Sequence, residues 1–543
     1  MQDRGSPRRA AGRLRSSDGS DPPREGPEPA VSGTWLEPFA WRHVALIASL
    51  ATALLLAFAS RNGYHRDELY FIEASRHLAW GYVDQPPGSI VMIGLSRTLL
   101  GDSLLALRVF PAFAFFATIV TTGLIAREMG GRRLAQVFAA LTAVFTFFLA
   151  AGHIATTAAY DVLAWTIVSL LVLRILRTGR VRLWLWVGLA VGVALLFKET
   201  ILLLVVALII GLLSNGQSRV LWNRWVLVAA LFAVAIWSPV ILWEAQHGWA
   251  TVEMSGNLRS EHSGLQVSLG FPVVQLLLAG VWSASIWLAG LWALLRDPGF
   301  RAYRSFAFAY VVLFVAIGLF MGDRPYYLGP LYAVLLSTGA IVTAEVVAGR
   351  RRFFSARPPR RRRLIWRSPL AAVVFVVVCA VVALPLALPV LPPRLLARVP
   401  LQRVNDVLVE EVGWPELVTT VAHVYRSLPP AERRTTVILT DNYGQAGAID
   451  RFGPAEGLPR AYSGHNSYWW WGPPSPALGT AIVVGFGSDA TPYLSRYFRS
   501  VTRAATVHNR YGVENQEQGC VVWLCRGQIR PWPQVWRQFR VYH

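Results

Sequence analysis

The sequence predicts a mainly α-helical, polytopic membrane protein, and three observations carry that reading. Hydrophobic residues make up 54% of the 543-residue chain and charged residues only 15%, with a positive mean hydropathy, which is too little charge for a soluble protein of this length. About eleven apolar runs can cross a bilayer as helices, because a helix satisfies its own backbone where lipid cannot. Arginines gather in alternate connections between those runs, which is a topological pattern. The net charge of +21 is therefore read as orientation, and nucleic-acid binding is set aside.

Taken in order, residues 1–40 are rich in Arg, Pro, Gly and Ser with no apolar h-region, and read as a disordered cytoplasmic tail rather than a cleaved signal peptide. The runs then follow: Val44 to Ser60, Leu104 to Ala126, Leu134 to Ala151, Thr157 to Leu176, Leu183 to Phe197 and Ile201 to Leu213. Leu221 to Trp243, Val273 to Leu295, Phe306 to Met321, Tyr327 to Val347 and Leu370 to Leu388 complete them. Several are short or closely joined. Between the first two lies a half-apolar loop of about 40 residues, which predicts one or two short helices in the interface plane.

The arginine clusters are the N-terminal tail, Arg127 with Arg132 and Arg133, Arg177 to Arg182, Arg219 with Arg224, Arg296 to Arg304, and "GRRRFFSARPPRRRRLIWR". They place the N-terminus in the cytoplasm and, with an odd number of spans, the last segment outside. That divides the chain into a transmembrane domain over 41–392 and a region 393–543 of different composition. The strand-like "TTVILT" and "AIVVGFG", the helix-like "ELVTTVAHVYRSL" and a late "CVVWLC" predict a small extracytoplasmic α/β domain there. Three cysteines, Cys379, Cys520 and Cys525, exclude a disulfide framework or a cysteine metal cluster and leave room for one Cys520–Cys525 bridge.

With this orientation the oddly placed polar residues fall on one face. "GYHRDELYF" opens the first outer loop with Arg66, Asp67 and Glu68, charges that are expensive beside hydrocarbon unless paired, hydrated or useful. Lys198 is the only lysine in the chain and stands with Glu199 at an outer turn; a compact ammonium suits a phosphate. Asp161 lies inside an apolar run, where a hydrogen bond to a neighbouring helix and a role in substrate binding are both open. Tyr326 and Tyr327 of "GDRPYYLGP", with His247 of "WEAQHGW", are further candidate substrate contacts. His262 and Glu199 are candidate ligands for a divalent cation, although no compact metal motif is present. Solvated loop residues are the plainer reading of His247 and His262.

"GYHRDELYFIEASRHLAWGYVDQPP", with "DVLAWT", "LLFKET", "WEAQHGWATVE", "PYYLGPLY" and the stretch from "YGQAGAIDRFGP" to "SGHNSYWWWGP", resembles one family. It is that of the bacterial membrane glycosyltransferases of the protein O-mannosyltransferase and aminoarabinose transferase superfamily, glycosyltransferase family 39 of the GT-C type. The similarity runs from about residue 40 to 475, and its first-loop segment is the most specific. The resemblance implies transfer of a sugar from a polyprenyl-phosphate carrier to an acceptor on the outer face, with inversion, at a multi-pass protein of the cell membrane. It implies that Asp67 is catalytic, with Glu68 beside it. Relatives often carry a tyrosine after the lysine where this chain reads Lys198, Glu199, Thr200, which leaves Glu199 open to a cation or an acceptor role.

The residues agree with that chemistry, since single displacement needs a base for the acceptor hydroxyl and a partner for the departing phosphate. Asp67 is the expected base, and Lys198, helped by Arg66 or Arg259, the expected phosphate partner. Two other classes compete. A transporter or flippase predicts ionisable residues near the middle of several spans, whereas here Asp161 alone is read as lying within one. A membrane scaffold leaves the first-loop charges and the lone lysine without purpose.

Overall fold

Helices follow the apolar runs, and their lengths sort them. The computed structural model describes residues 36–262, 265–321, 324–350, 369–399 and 405–543; the side chains of 259–262, 265–269 and 369–377 lie outside that description. In chain order α1 (Trp41–Phe58), α2 (Arg66–Ala74), α3 (Gly88–Leu100), α4 (Leu104–Glu128), α5 (Arg133–Val144), α6 (Phe147–His153), α7 (Ala158–Thr178), α8 (Trp184–Leu195) and α9 (Ile201–Ser214) come first. The helices Arg224–Gln246, Ala250–His262, Leu265–Leu278, Ala284–Arg296, Ser305–Phe320, Tyr332–Val347 and Pro369–Ala387 follow.

Among the described residues five stretches are long and apolar enough to cross a membrane: α1, α4, α7, Arg224–Gln246 and Pro325–Val347. The pair α5 and α6, bent by 59°, makes a sixth if counted as one broken span. The expected count of eleven is not reached on these criteria, for a physical reason visible in the elements. The run Leu134 to Ala151 breaks where Thr146 caps α6, accepting from the Phe148 N–H at 3.2 Å. Val273 to Leu295 divides at Gly280, whose φ of 81° ends one helix before the next begins. α8, α9 and Ser305–Phe320 are apolar helices of 17 residues or fewer. The first loop holds two helices, α2 and α3, as its half-apolar composition predicts.

After residue 413 the helix Trp414–Ser427 precedes a five-stranded mixed sheet of order β2-β1-β3-β5-β4. β1 (Thr436–Thr440) pairs in parallel with β2 (Ala461–Ser463) and β3 (Thr480–Val484), and β5 (Val521–Gln528) pairs antiparallel with β3 and with β4 (Phe498–Thr506). β1, β3, β5 and the first helix are the segments read from the sequence; β2, β4 and the helix Tyr443–Phe452 were not. Cys520 and Cys525 are free. They lie five residues apart at the extended start of β5, which separates their Cα atoms by about 16 Å, and a bridge needs less than about 7 Å.

The site is positioned by a core shared between the first loop and the sheet layer. Leu69, Tyr70, Phe71 and Ile72 of α2 and Ile90 and Ile93 of α3 pack in one buried cluster with Trp414, Leu417, Ile438, Ala446, Ile449 and Ile482. Each of the Leu, Ile and Phe side chains among them contributes about 1.5–3 kcal/mol on burial. α2 lies against the helix Tyr443–Phe452 so closely that a Cβ on Gly447 would stand 2.7 Å from the Leu69 carbonyl carbon. The described residues from 36 to 543 accordingly form one compact unit.

Candidate active site

α2 begins with a capping box. His65 Nδ1 accepts from the Asp67 N–H (3.2 Å), and Glu68 Oε2 accepts from the His65 N–H (2.8 Å). Both carboxylates of the first turn, Asp67 and Glu68, face the positive end of the helix dipole. Helical spacing turns them in different directions, and their surroundings differ accordingly.

Asp67 keeps 31% of its side chain exposed. Its Oδ1 accepts from the Tyr443 hydroxyl at 2.9 Å, a residue 376 positions away in the helix behind β1. His65 Nδ1 stands 3.7 Å from Oδ2, but a ring nitrogen that already accepts a backbone N–H has no proton to give. Oδ2 therefore has no hydrogen-bond donor among the described residues. The Tyr70 ring lies 4.7 Å from that of Tyr443, and the Tyr70 hydroxyl donates to Asp84 Oδ1 at 2.8 Å. Burial, with the negative charge of Asp67 added, raises the Asp84 carboxyl to about 7 against the opposing Tyr70 bond.

A second group forms around Lys198. Its ammonium lies 4.7 Å from the centre of the Tyr327 ring and 5.0 Å from that of Tyr326. Burial alone would lower the ammonium, but Tyr326, Tyr327 and the Asp161 carboxylate outweigh it and hold Lys198 above the usual lysine range. Asp161 accepts from the Thr200 hydroxyl at 2.8 Å. Glu199 is raised to about 7, chiefly by burial and then by the facing charge of Glu244. The first loop reaches this group: the Gly88 N–H donates to the Leu196 carbonyl at 2.6 Å, two residues before Lys198.

Residues 84–243 match the family model of the dolichyl-phosphate-mannose-protein mannosyltransferases. Among solved structures, ArnT from Cupriavidus metallidurans bound to undecaprenyl phosphate matches with a TM-score of 0.54 at 17% identity, covering 89% of this chain and 98% of that one. Its apo state matches with a TM-score of 0.55 at 16% identity over the same shares. The chain has the GT-C fold. A mycobacterial arabinofuranosyltransferase, AftD, matches with a TM-score of 0.49 at 13% identity, over 90% of this chain and 40% of that one. No curated protein sequence matches.

Within this GT-C fold the sequence candidates separate. Asp161, Lys198, Glu199, Tyr326 and Tyr327 come together, and Asp67 stands partly open beside Tyr443. Glu68 does not share its neighbour's access: it is fully buried. Its Oε1 accepts from Arg108 Nε (2.8 Å) and the Ala155 N–H (2.8 Å), and its Oε2 from Arg108 Nη2 (2.7 Å). Burial would raise this carboxyl, but Arg108 and these bonds hold it below the usual carboxylate range. A second catalytic carboxylate at Glu68 is thereby corrected to a fixed, fully satisfied anion.

Arg66 is likewise engaged. It donates to Gln516 Oε1 at 2.6 Å and stacks over the Tyr443 ring at 5.2 Å. Burial lowers it, and Tyr443, Glu410, Asp67 and Glu517 raise it more, so its charge is shared among carboxylates already present. His247 packs 4.0 Å from the Trp243 ring and 4.6 Å from Trp470, with Nδ1 2.7 Å from the Trp243 carbonyl. The side chains of Arg259 and His262 lie outside the described residues. Among the described residues no group of three or more His, Cys, Asp or Glu side chains converges as a metal site.

Sequence reading missed Tyr443, Asp84, Arg108 and Glu411. Arg108 carried a signal, a charge inside the run Leu104 to Ala126, and it corrects the reading that Asp161 alone lies within a span. Asp84 stood in the quoted "YVDQPP". Tyr443 opened the quoted "YGQAGAIDRFGP" with no role attached to it, and Glu411 carried no signal, because only the fold brings the two to the first loop.

Proposed function

We propose that the protein is an integral-membrane inverting glycosyltransferase that moves a sugar from a polyprenyl-phosphate carrier to an acceptor hydroxyl. The arrangement of Asp67 carries this reading: a partly open carboxylate with one oxygen fixed by Tyr443 and the other free to take a proton, on the first loop of a GT-C fold. The undecaprenyl phosphate bound to the similar ArnT structure supports a lipid-phosphate donor, and the arginine distribution supports an extracytoplasmic site on a multi-pass protein.

In this mechanism Asp67 Oδ2 takes the proton of the acceptor hydroxyl as its oxygen attacks the anomeric carbon. The bond from that carbon to the phosphate oxygen breaks on the opposite face, and the polyprenyl phosphate leaves with the electron pair. Lys198, held by Tyr326, Tyr327 and Asp161, offsets the charge on the leaving phosphate. The prenyl tail lies along the apolar helices, and the acceptor is a glycan, lipid or protein hydroxyl.

The test is turnover of radiolabelled polyprenyl-phosphate sugars by purified protein in lipid, comparing wild type with Asp67→Asn at matched folded yield. The wild type is expected to consume one donor, and Asp67→Asn to lose roughly 100-fold or more in kcat, the usual scale for a general base. An inactive wild type, even with membrane extract as acceptor source, would overturn the transferase reading; a fully active Asp67→Asn would remove Asp67 as base.

A further inference from the structure

Arg108 of α4 is 1% exposed and stands where four separate parts of the chain meet. Its guanidinium donates to the Ala59 carbonyl after α1 (2.8 Å), to the Gly63 carbonyl (3.0 Å), to both oxygens of Glu68, and to Glu411 Oε1 (3.0 Å). His153 Nε2, at the end of α6, lies 3.1 Å from Arg108 Nη1 and 3.1 Å from the same Glu411 oxygen. Gly63, with φ of 136°, presses on this group so closely that a Cβ there would stand 2.5 Å from the Glu411 carbonyl oxygen.

One guanidinium thus serves two buried carboxylates, with His153 Nε2 beside it and within hydrogen-bond distance of Glu411. Burying such a set adds little net stability, because desolvation offsets the attraction. What it supplies is geometry. Glu68 is the reciprocal member of the α2 capping box, so whatever fixes Glu68 fixes the first turn of α2, and Asp67 is its immediate neighbour. Glu411 comes from the segment ahead of the helix Trp414–Ser427, 303 residues from Arg108 in sequence.

We infer that Glu411 is a positioning residue for Asp67, acting through Arg108 and Glu68 to hold the first turn of α2 in its reactive orientation. The inference rests on the transferase reading for its kinetic consequence, and on the hydrogen-bond geometry alone for its structural one. Glu411 is only 1% exposed, so its reach to Asp67 runs through Arg108 and Glu68.

Two measurements on the full chain in lipid test it: amide exchange, and donor turnover with the thermal midpoint recorded alongside. In Glu411→Gln, exchange at residues 65–69 is expected to rise about tenfold with the rest of the chain unchanged. Its kcat is expected to fall about tenfold with KM for the donor unchanged, and Glu411→Asp to recover part of both. The triple apolar variant Glu68→Leu, Arg108→Met, Glu411→Leu is expected to keep its midpoint and lose turnover. Unchanged protection at 65–69 in Glu411→Gln overturns the inference. So does protection lost evenly along the chain with a lowered midpoint, which would mark a merely structural role. Should the wild type turn over no donor, the transferase reading fails while the exchange experiment still decides whether Glu411 holds α2.

Discussion

Tyr443 orders Asp67 through one hydroxyl hydrogen and leaves the outer oxygen open. Tyr443→Phe keeps the ring against Tyr70 and removes only that bond, which is worth about 1.5–3 kcal/mol to a charged acceptor. A fall in kcat of at least roughly tenfold with an unchanged KM is the expected outcome in steady-state kinetics. Asp84 gives a second prediction at this scale. Its folded-state carboxyl, raised to about 7 from the ordinary 3.8, binds a proton that the unfolded chain releases between those values. Stability from this group is therefore fullest below about pH 4 and declines as pH rises toward 7. Asp84→Asn keeps an acceptor for Tyr70 and carries no charge. Its thermal midpoint is expected to exceed that of wild type at pH 8, with the difference shrinking toward pH 4.5; a constant difference across that range would contradict the assignment.

At the scale of elements, the contact of α2 with the helix Tyr443–Phe452 depends on Gly447. Gly447→Ala places a methyl 2.7 Å from the Leu69 backbone and is expected to cost about 1–3 kcal/mol, as overpacking does. Denaturation midpoints would show it, and kcat would fall with it because Tyr443 rides on the same helix. The elements also show what the sequence made legible. Apolar runs announced the helices because lipid leaves the backbone no other choice, but where they break depends on single residues such as Thr146 and Gly280, which local hydropathy averages away. β1, β3 and β5 were visible as β-branched runs. Of the site, Asp67 and Lys198 were legible as charges out of place, whereas the different fates of Asp67 and Glu68 were not. Those fates are decided by Arg108 and Tyr443, on elements that approach the first loop only in the folded chain.

For the whole molecule, the joint core of the first loop and the sheet layer makes residues 405–543 part of the site's foundation. A chain ended at residue 399 would leave Leu69, Phe71, Ile72, Ile90 and Ile93 without the partners that bury them, along with Asp67 and Glu68 without Tyr443 and Glu411. Such a protein is expected to elute from size exclusion as polydisperse aggregate rather than as a single species. A monodisperse, donor-binding truncation would show that the helical part holds its own first loop.

The guanidinium of Arg108 also sets a timetable for birth of the protein at the ribosome. Arg108 enters the bilayer early, yet its Glu411 partner is translated 303 residues later, on the order of half a minute at ordinary elongation speed. During that interval the nascent chain carries an uncompleted ionic junction at the rim of the bilayer, and its first loop has no reactive shape. On the transferase reading proposed above, activity therefore waits until the segment carrying Glu411 has been made and has docked against the first loop, so that completion of synthesis is itself the switch that turns it on.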